Sequence, residues 1–155
     1  MLNEAEIRQI EEEAKLYANR RTVCIGALKI VQKHRGWVSD EALADLASYL
    51  GMTNDELDSV ATFYSLIFRK PVGRHVVLLC DGLACCNVGY EELRVYIMKR
   101  LGIGFGETTA DGRFTLLPSA CLGVCESAPA LAIDEDVHGN LEPPEKVDEA
   151  LEKYE

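Results

Sequence analysis

The stretch His75-Val-Val-Leu-Leu-Cys80-Asp-Gly-Leu-Ala-Cys85 decides the fold. Its opening residues are apolar and β-branched, of strand length, and follow the breaker Pro71-Val-Gly73, so they read as a buried strand that runs straight into Cys80. A second such run, Arg113 to Leu117, follows the turn Asp111-Gly112 and passes through Pro118 to Cys121-Leu-Gly-Val-Cys125. Each cysteine pair sits in a loop just past a strand, and 35 residues separate the pairs. In sheets with parallel strands such loops gather at the carboxyl edge, so the four thiols can serve one centre.

Between the two strands, Gly89 to Leu101 reads as a helix with Leu93, Tyr96, Ile97 and Leu101 inward and Gly102 as its stop. Downstream, Ala130 to Ile133 is a third strand, and His138-Gly139-Asn140 is a turn into a short fourth. Pro143 or Pro144 opens a last helix bearing Val147, Ala150, Leu151 and Tyr154. The order β-α-β-β-(β)-α is that of an α/β or α+β fold with a mixed sheet, and a thioredoxin-like arrangement fits it.

Upstream of Pro71 the periodicity is helical throughout. Residues 3–18 form an acidic amphipathic helix, and 22–35 continue with Cys24, Ala27, Leu28 and Val31 on one stripe before a basic end and Gly36. Ser39 caps a third helix with Leu43, Leu46, Ala47 and Leu50 inward. Thr53 and Glu56 form a capping box for a fourth, with Leu57, Val60, Ala61 and Tyr64 on one face. The expected organisation is an N-terminal helical bundle over residues 1–71 and a second domain over 72–155 that holds every strand and both cysteine pairs.

With 155 residues, 48% hydrophobic and 27% charged, the chain is of globular composition, and no apolar run approaches the ~20 residues a membrane-spanning helix needs. The start MLNEAEIRQIEEEAK has no secretory pattern, so a cytoplasmic location is expected. A net charge of −10 repels nucleic acid and anionic lipid. Seven of those negative charges, net, lie in residues 134–155, a solvated face or a surface for a basic partner.

Six cysteines in a reducing compartment point to metal or redox chemistry rather than disulfides. Four thiolates suit zinc or iron–sulfur equally, and spacing alone leaves both open. The intervening residues, Asp81-Gly-Leu-Ala84 and Leu122-Gly-Val124, are small or apolar, which lets backbone N–H groups approach sulfur while keeping water away and tilts the reading toward iron–sulfur.

The motifs Val60-Ala-Thr-Phe-Tyr-Ser65, Pro71-Val-Gly-Arg-His75 leading to Cys80-x4-Cys85, and Asp111-Gly-Arg-Phe-Thr-Leu-Leu-Pro118 followed by Cys121-x3-Cys125 and Ala128-Pro129 resemble the [2Fe–2S] E-subunit family of bacterial NADH:quinone oxidoreductase, respiratory complex I. The resemblance covers nearly the whole chain. It implies a thioredoxin-like domain on which Cys80, Cys85, Cys121 and Cys125 ligate one [2Fe–2S] cluster, with the helical bundle docked on the flavin- and NADH-binding subunit of complex I. FMN and NADH would then lie on that partner only. The chain would act as an electron-transfer subunit of a proton-translocating enzyme, in the peripheral arm at the cytoplasmic face of the membrane. Two positions depart from the family pattern: Cys86 stands where a histidine is usual, and Ser59 where a glycine is usual. Two alternatives are the diaphorase subunit of a soluble NAD-linked hydrogenase or formate dehydrogenase, and a structural zinc module.

The other conspicuous residues take plainer roles. Cys24 reads as a buried thiol and Cys86 as a non-ligand. His34 and His75 read as structural and His138 as solvated in a turn, while Phe63 or Tyr64 is expected in the core and Trp37 is left open between core and interface. Gly102-Ile-Gly-Phe-Gly106 follows a helix instead of a strand and lacks dinucleotide-loop spacing, so no NADH or flavin site is expected on this chain.

Overall fold

The computed structural model describes residues 1–154. Their contacts separate into two compact units, Met1–Pro71 and Val72–Glu155.

The first unit is all helical: α1 (Glu4–Ala14), α2 (Cys24–Arg35), α3 (Asp40–Leu50) and α4 (Asn54–Phe63). Each begins where the local chemistry allows it. Asn3 caps α1 reciprocally with Glu6, Ser39 caps α3, and Thr53 with Glu56 closes a capping box on α4. Helix α1 stops at Ala14, four residues before the expected end, and a 3₁₀ turn over Arg20–Val23 leads into α2. Ile10, Leu28, Val31, Leu46, Leu50 and Leu57 fill the core between the four helices. Glu6 is wholly buried there and answers Arg35 through two hydrogen bonds of 2.6 and 2.7 Å. Arg69 ties the end of the unit to Asp58 at 2.8 Å and to Asp40 at 2.7 Å.

One expectation fails here. Phe63 and Tyr64 are not core residues: they are 80% and 42% exposed, because α4 ends at Phe63 and the chain turns outward, leaving Leu66 exposed as well. Ile67 and the half-buried Phe68 fill the place instead, held by Gln32, whose side chain bonds the Leu66 carbonyl at 2.9 Å and the Phe68 N–H at 2.6 Å. Trp37 is half-buried.

The second unit is built on a four-stranded mixed sheet of order β2-β1-β3-β4, with β1 (His75–Cys80), β2 (Phe114–Ser119), β3 (Leu131–Ile133) and β4 (Asp136–His138). Strands β1 and β2 are parallel in a register that sets Cys80 opposite Ser119, and β3 and β4 continue antiparallel. A short helix α5 (Leu83–Asn87) follows β1, α6 (Tyr90–Leu101) then crosses toward β2, and α7 (Val147–Leu151) follows the sheet. Leu93 and Ile97 of α6, together with Val147, Ala150 and Leu151 of α7, bury Val77, Leu79, Phe114, Leu116, Leu131 and Ile133. Asp148 receives Tyr96 Oη at 2.7 Å and Arg100 Nε at 2.9 Å and so links the two helices.

The fourth strand does not lie beyond the His138 turn as expected. It precedes it, because Asp134 adopts φ +54° and turns β3 back at once, and its carboxylate accepts from the Val76 N–H at 2.9 Å and meets His75 Nδ1 at 2.7 Å. His138 therefore ends a strand instead of sitting solvated in a turn. Its Nε2 is buried without a partner, and burial holds its pKa below the usual imidazole value.

Candidate metal centre

The site follows from the parallel pairing of β1 and β2. Because both strands point the same way and are neighbours, the chain leaves both at one edge, and two segments far apart in sequence emerge side by side. Cys80 is the last residue of β1, and Cys121 lies two residues beyond the end of β2. The Asp81 N–H donates to Ser119 O at 2.9 Å and the Cys80 N–H to Ala130 O at 3.2 Å, so the segments stay stitched past the sheet.

Cys85 is not in a loop. It sits on the five-residue helix α5, which the sequence did not signal, since neither Leu83 nor Ala84 is distinctive and Gly82 offers no side-chain cap. The helix turns Cys85 back beside Cys80, and both are 3% exposed, packed with Ala130 and flanked by Tyr90, Leu122, Val124 and Ala128. Cys121 and Cys125 are exposed, and their Sγ atoms lie 3.4 Å apart. The loop between them turns at Gly123, whose φ is +82°, and a 3₁₀ turn over Cys125–Ser127 follows.

Gly82 joins the two pairs. A Cβ there would stand 3.2 Å from both Cα and Cβ of Cys121 and 3.4 Å from Cys80 Sγ. Its backbone is ordinary extended chain, so the glycine is required by space, not by conformation.

Electrostatics set the pairs apart. Burial pushes the Cys85 thiol up to about 11, and the neighbouring Cys80 thiol adds to the rise, while the Ala130 N–H opposes it. Cys121 is held below the ordinary thiol value, chiefly by the Gly123 N–H that donates to its Sγ at 3.4 Å. Cys125 is raised, first by its hydrogen bond with Cys121. The Gly123 N–H on Cys121 Sγ is the kind of contact that tunes a sulfur-ligated centre.

Among the described residues no three or more His, Cys, Asp or Glu side chains close around a single metal-sized point. The thiols meet two by two. A mononuclear tetrahedral ion draws four sulfurs around one centre, whereas a [2Fe–2S] cluster takes two thiolates on each iron and fills the space between the pairs with its own sulfides. The donor set present, two thiol pairs at one edge with a glycine between them, fits the binuclear group.

The remaining cysteines stand apart from these pairs. Cys24 is half-buried against the core of the helical unit. Cys86 is exposed on α5, and its Sγ donates to the Asp81 carbonyl at 3.3 Å. His75 meets Asp134 at the opposite end of β1 from Cys80.

A family model described as thioredoxin-like [2Fe-2S] ferredoxin matches residues 10–155. The NADH-quinone oxidoreductase E subunit of Pseudomonas aeruginosa strain PAO1 is 51% identical over 154 residues, spanning 99% of this chain and 92% of that protein. The protein of the same description from Escherichia coli K12 is 50% identical over 153 residues, with the same coverage. Among solved structures, an NAD+-reducing [NiFe]-hydrogenase in the H2-reduced state superposes with a TM-score of 0.69 at 26% identity, covering 82% of this chain and 22% of that one.

Proposed function

This chain belongs to the thioredoxin-like [2Fe–2S] ferredoxin family and, within it, to the E-subunit group of NADH-quinone oxidoreductase, and we propose accordingly that Cys80, Cys85, Cys121 and Cys125 hold its one cluster. It is an electron-transfer subunit of the NADH-oxidising module. The observation that carries the ligand assignment is the parallel β1–β2 pair, which delivers both cysteine pairs to one sheet edge.

Bound there, the cluster supplies one-electron chemistry; the chain supplies its setting. Cys80 and Cys85 anchor one side in an apolar pocket. Cys121 and Cys125 hold the other at the surface, and the Gly123 amide donates to the Cys121 sulfur. Iron held there would take the four sulfurs as thiolates, and its bonds to them would offset the cost of ionising the buried Cys85. NADH and FMN are bound by the flavin-bearing partner of the same complex, on which the helical unit docks, and no complete active site lies on this chain. No helix among the described residues is long and apolar enough to cross a membrane, and the proposed place is the peripheral arm at the cytoplasmic face.

The test is the absorption and electron paramagnetic resonance spectrum of anaerobically purified full chain with an iron and sulfide count. Visible bands, about two irons and about two sulfides per chain support the proposal. A colourless zinc protein refutes it. The hydrogenase superposition supports a second reading, a diaphorase subunit of an NAD-linked hydrogenase. Co-purification separates the two, since only the first brings down the other subunits of a quinone-reducing complex.

A further inference from the structure

We propose that the strap 138–141 positions Cys125 for the cluster, and that Gly139 is its key positioning residue, a glycine because any side chain there would displace the turn that carries the ligand; this rests on the cluster assignment above. Cys125 is exposed, so its place is set by its backbone. It opens a 3₁₀ turn that ends at Ser127. The Ala128 N–H donates to the Cys125 carbonyl at 3.3 Å and the Ser127 N–H to the Val124 carbonyl at 2.9 Å. Residues bound in this way move together, so what holds Ser127 also holds Cys125.

The strap grips that turn directly. The Asn140 N–H donates to the Ser127 carbonyl at 2.5 Å and the Leu141 N–H to the Pro129 carbonyl at 3.1 Å. Asn140 reaches this position with φ +55°, a left-handed conformation that asparagine tolerates better than most residues. Gly139 meets the same turn: a Cβ there would stand 2.5 Å from Ser127 Cβ and 2.7 Å from the Ser127 carbonyl oxygen, and its own φ is not left-handed, so space alone calls for glycine. Neither end of the strap can retreat. Before it, β4 is paired with β3, His138 opposite Leu131; after it, Leu141 is 4% exposed in the core with Leu93 and Val147. Downstream of the turn the loop is fixed too, since the Ala130 carbonyl accepts from the Cys80 N–H at 3.2 Å. A push from position 139 therefore runs toward Cys125.

The test sets Gly139→Ala against Gly73→Ala, each in the full chain purified anaerobically. Gly73 is crowded in the same way and in the same unit, its Cβ falling 2.9 Å from the Arg113 carbonyl oxygen, but it precedes β1 and so lies at the end opposite Cys80. The readouts are loss of visible absorption under a chelator and the electron paramagnetic resonance of the dithionite-reduced chain. Gly139→Ala should bleach roughly tenfold faster than the parent, since overpacking by a single methyl is felt on that scale. It should also displace the g values, because a shifted Cys125 backbone changes the torsion at which its sulfur meets iron. Gly73→Ala should keep the parent's g values whatever it does to the urea midpoint. Parent g values in Gly139→Ala, or an equal displacement in both variants, overturns the proposal, because the crowding would then act only through the stability of the unit.

Where Gly139→Ala does not fold, the double variant Gly139→Ala with Ser127→Gly answers. It removes the 2.5 Å clash with Ser127 Cβ and leaves the 2.7 Å approach to the Ser127 carbonyl oxygen, so a gentler push on the same turn remains. Its g values should differ from those of Ser127→Gly alone, and identical spectra overturn the proposal. An unsubstituted chain with no visible bands would instead refute the cluster itself, so the two failures are distinguishable.

Discussion

Substitution of Gly82 tests the geometry that brings the two cysteine pairs together. An alanine Cβ would stand 3.2 Å from Cα and Cβ of Cys121 and 3.4 Å from Cys80 Sγ. Carbon atoms prefer about 3.5–4.0 Å, so something must yield by a few tenths of an ångström. What must yield is the backbone of one proposed ligand and the sulfur of another, neither a flexible chain end. Overpacking of this kind costs about 1–3 kcal/mol. The cost falls on the holding of the cluster, where about 1.4 kcal/mol is a tenfold change, so retention should fall by roughly 5- to 150-fold. Gly82 is also the N-cap of α5 and makes no side-chain cap bond, so alanine alone would confound crowding with capping. Gly82→Ser resolves this, since serine caps about 1 kcal/mol better than alanine and a few tenths of a kcal/mol better than glycine. The assay is the loss of visible absorption from anaerobic protein challenged with a chelator. Both variants should bleach faster than the unsubstituted chain. A Gly82→Ser protein that keeps its cluster as well as the parent, or better, would refute the idea that space between the pairs is what the glycine provides.

Four further outcomes are expected. Cys86→Ser should retain the visible bands and Cys85→Ser should lose or strongly alter them, because Cys86 Sγ bonds the Asp81 carbonyl and Cys85 adjoins Cys80; the opposite result would reassign the ligand. Glu6→Ala should destabilise the helical unit by about 3 kcal/mol in urea titration, the low end for a broken buried pair because the Arg35 left behind is 29% exposed. Its hydrogen bonds with Arg35 hold the Glu6 carboxyl below its ordinary value, so this stabilisation is complete above the unfolded-state pKa and is lost as pH falls through the lowered folded value; a difference between parent and variant that grows on acidification would contradict it. Phe63→Ser should leave the urea midpoint within the equivalent of about 0.5 kcal/mol while weakening co-purification with the flavin-bearing subunit, since the ring is 80% exposed. Calorimetric titration of the cluster-bearing chain with NADH should be flat, and saturable micromolar binding would place part of the nucleotide site on this chain.

How far the sequence reached depended on the range of the interaction involved. Capping residues and apolar stripes placed α2, α3, α6, β1 and the start of α4 within a residue or two, because a cap and a 3.6-residue or two-residue repeat are local matters. The ends of α1 and α4 were misjudged for the complementary reason. The stripe of α1 carries on past Ala14 with nothing left to pack against, and Tyr64 keeps the spacing of the α4 stripe although the chain has already turned out. Helix α5 is shorter than two turns, too short for any periodicity to reveal. The β3–β4 turn was misplaced because Asp134 takes a left-handed conformation that an Asp-Glu pair announces only weakly, whereas Gly139-Asn140 looks more like a turn and is used instead to press the chain against Ser127.

Which residues could matter is legible in the chain alone: two cysteine pairs, each following a strand, behind a helical first half and with no nucleotide loop. How those pairs meet is a tertiary matter. That β1 and β2 are adjacent and parallel, in a register setting Cys80 opposite Ser119, depends on strand pairing across an intervening helix, which no window of sequence contains. Burial is equally non-local. All four cysteines look alike in sequence, yet Cys80 and Cys85 are closed in by Ala130, Leu122 and Val124 from a distant segment, while Cys121 and Cys125 face water. A residue's periodicity tells which way it points on its own element; what stands on the other side is supplied by the rest of the chain.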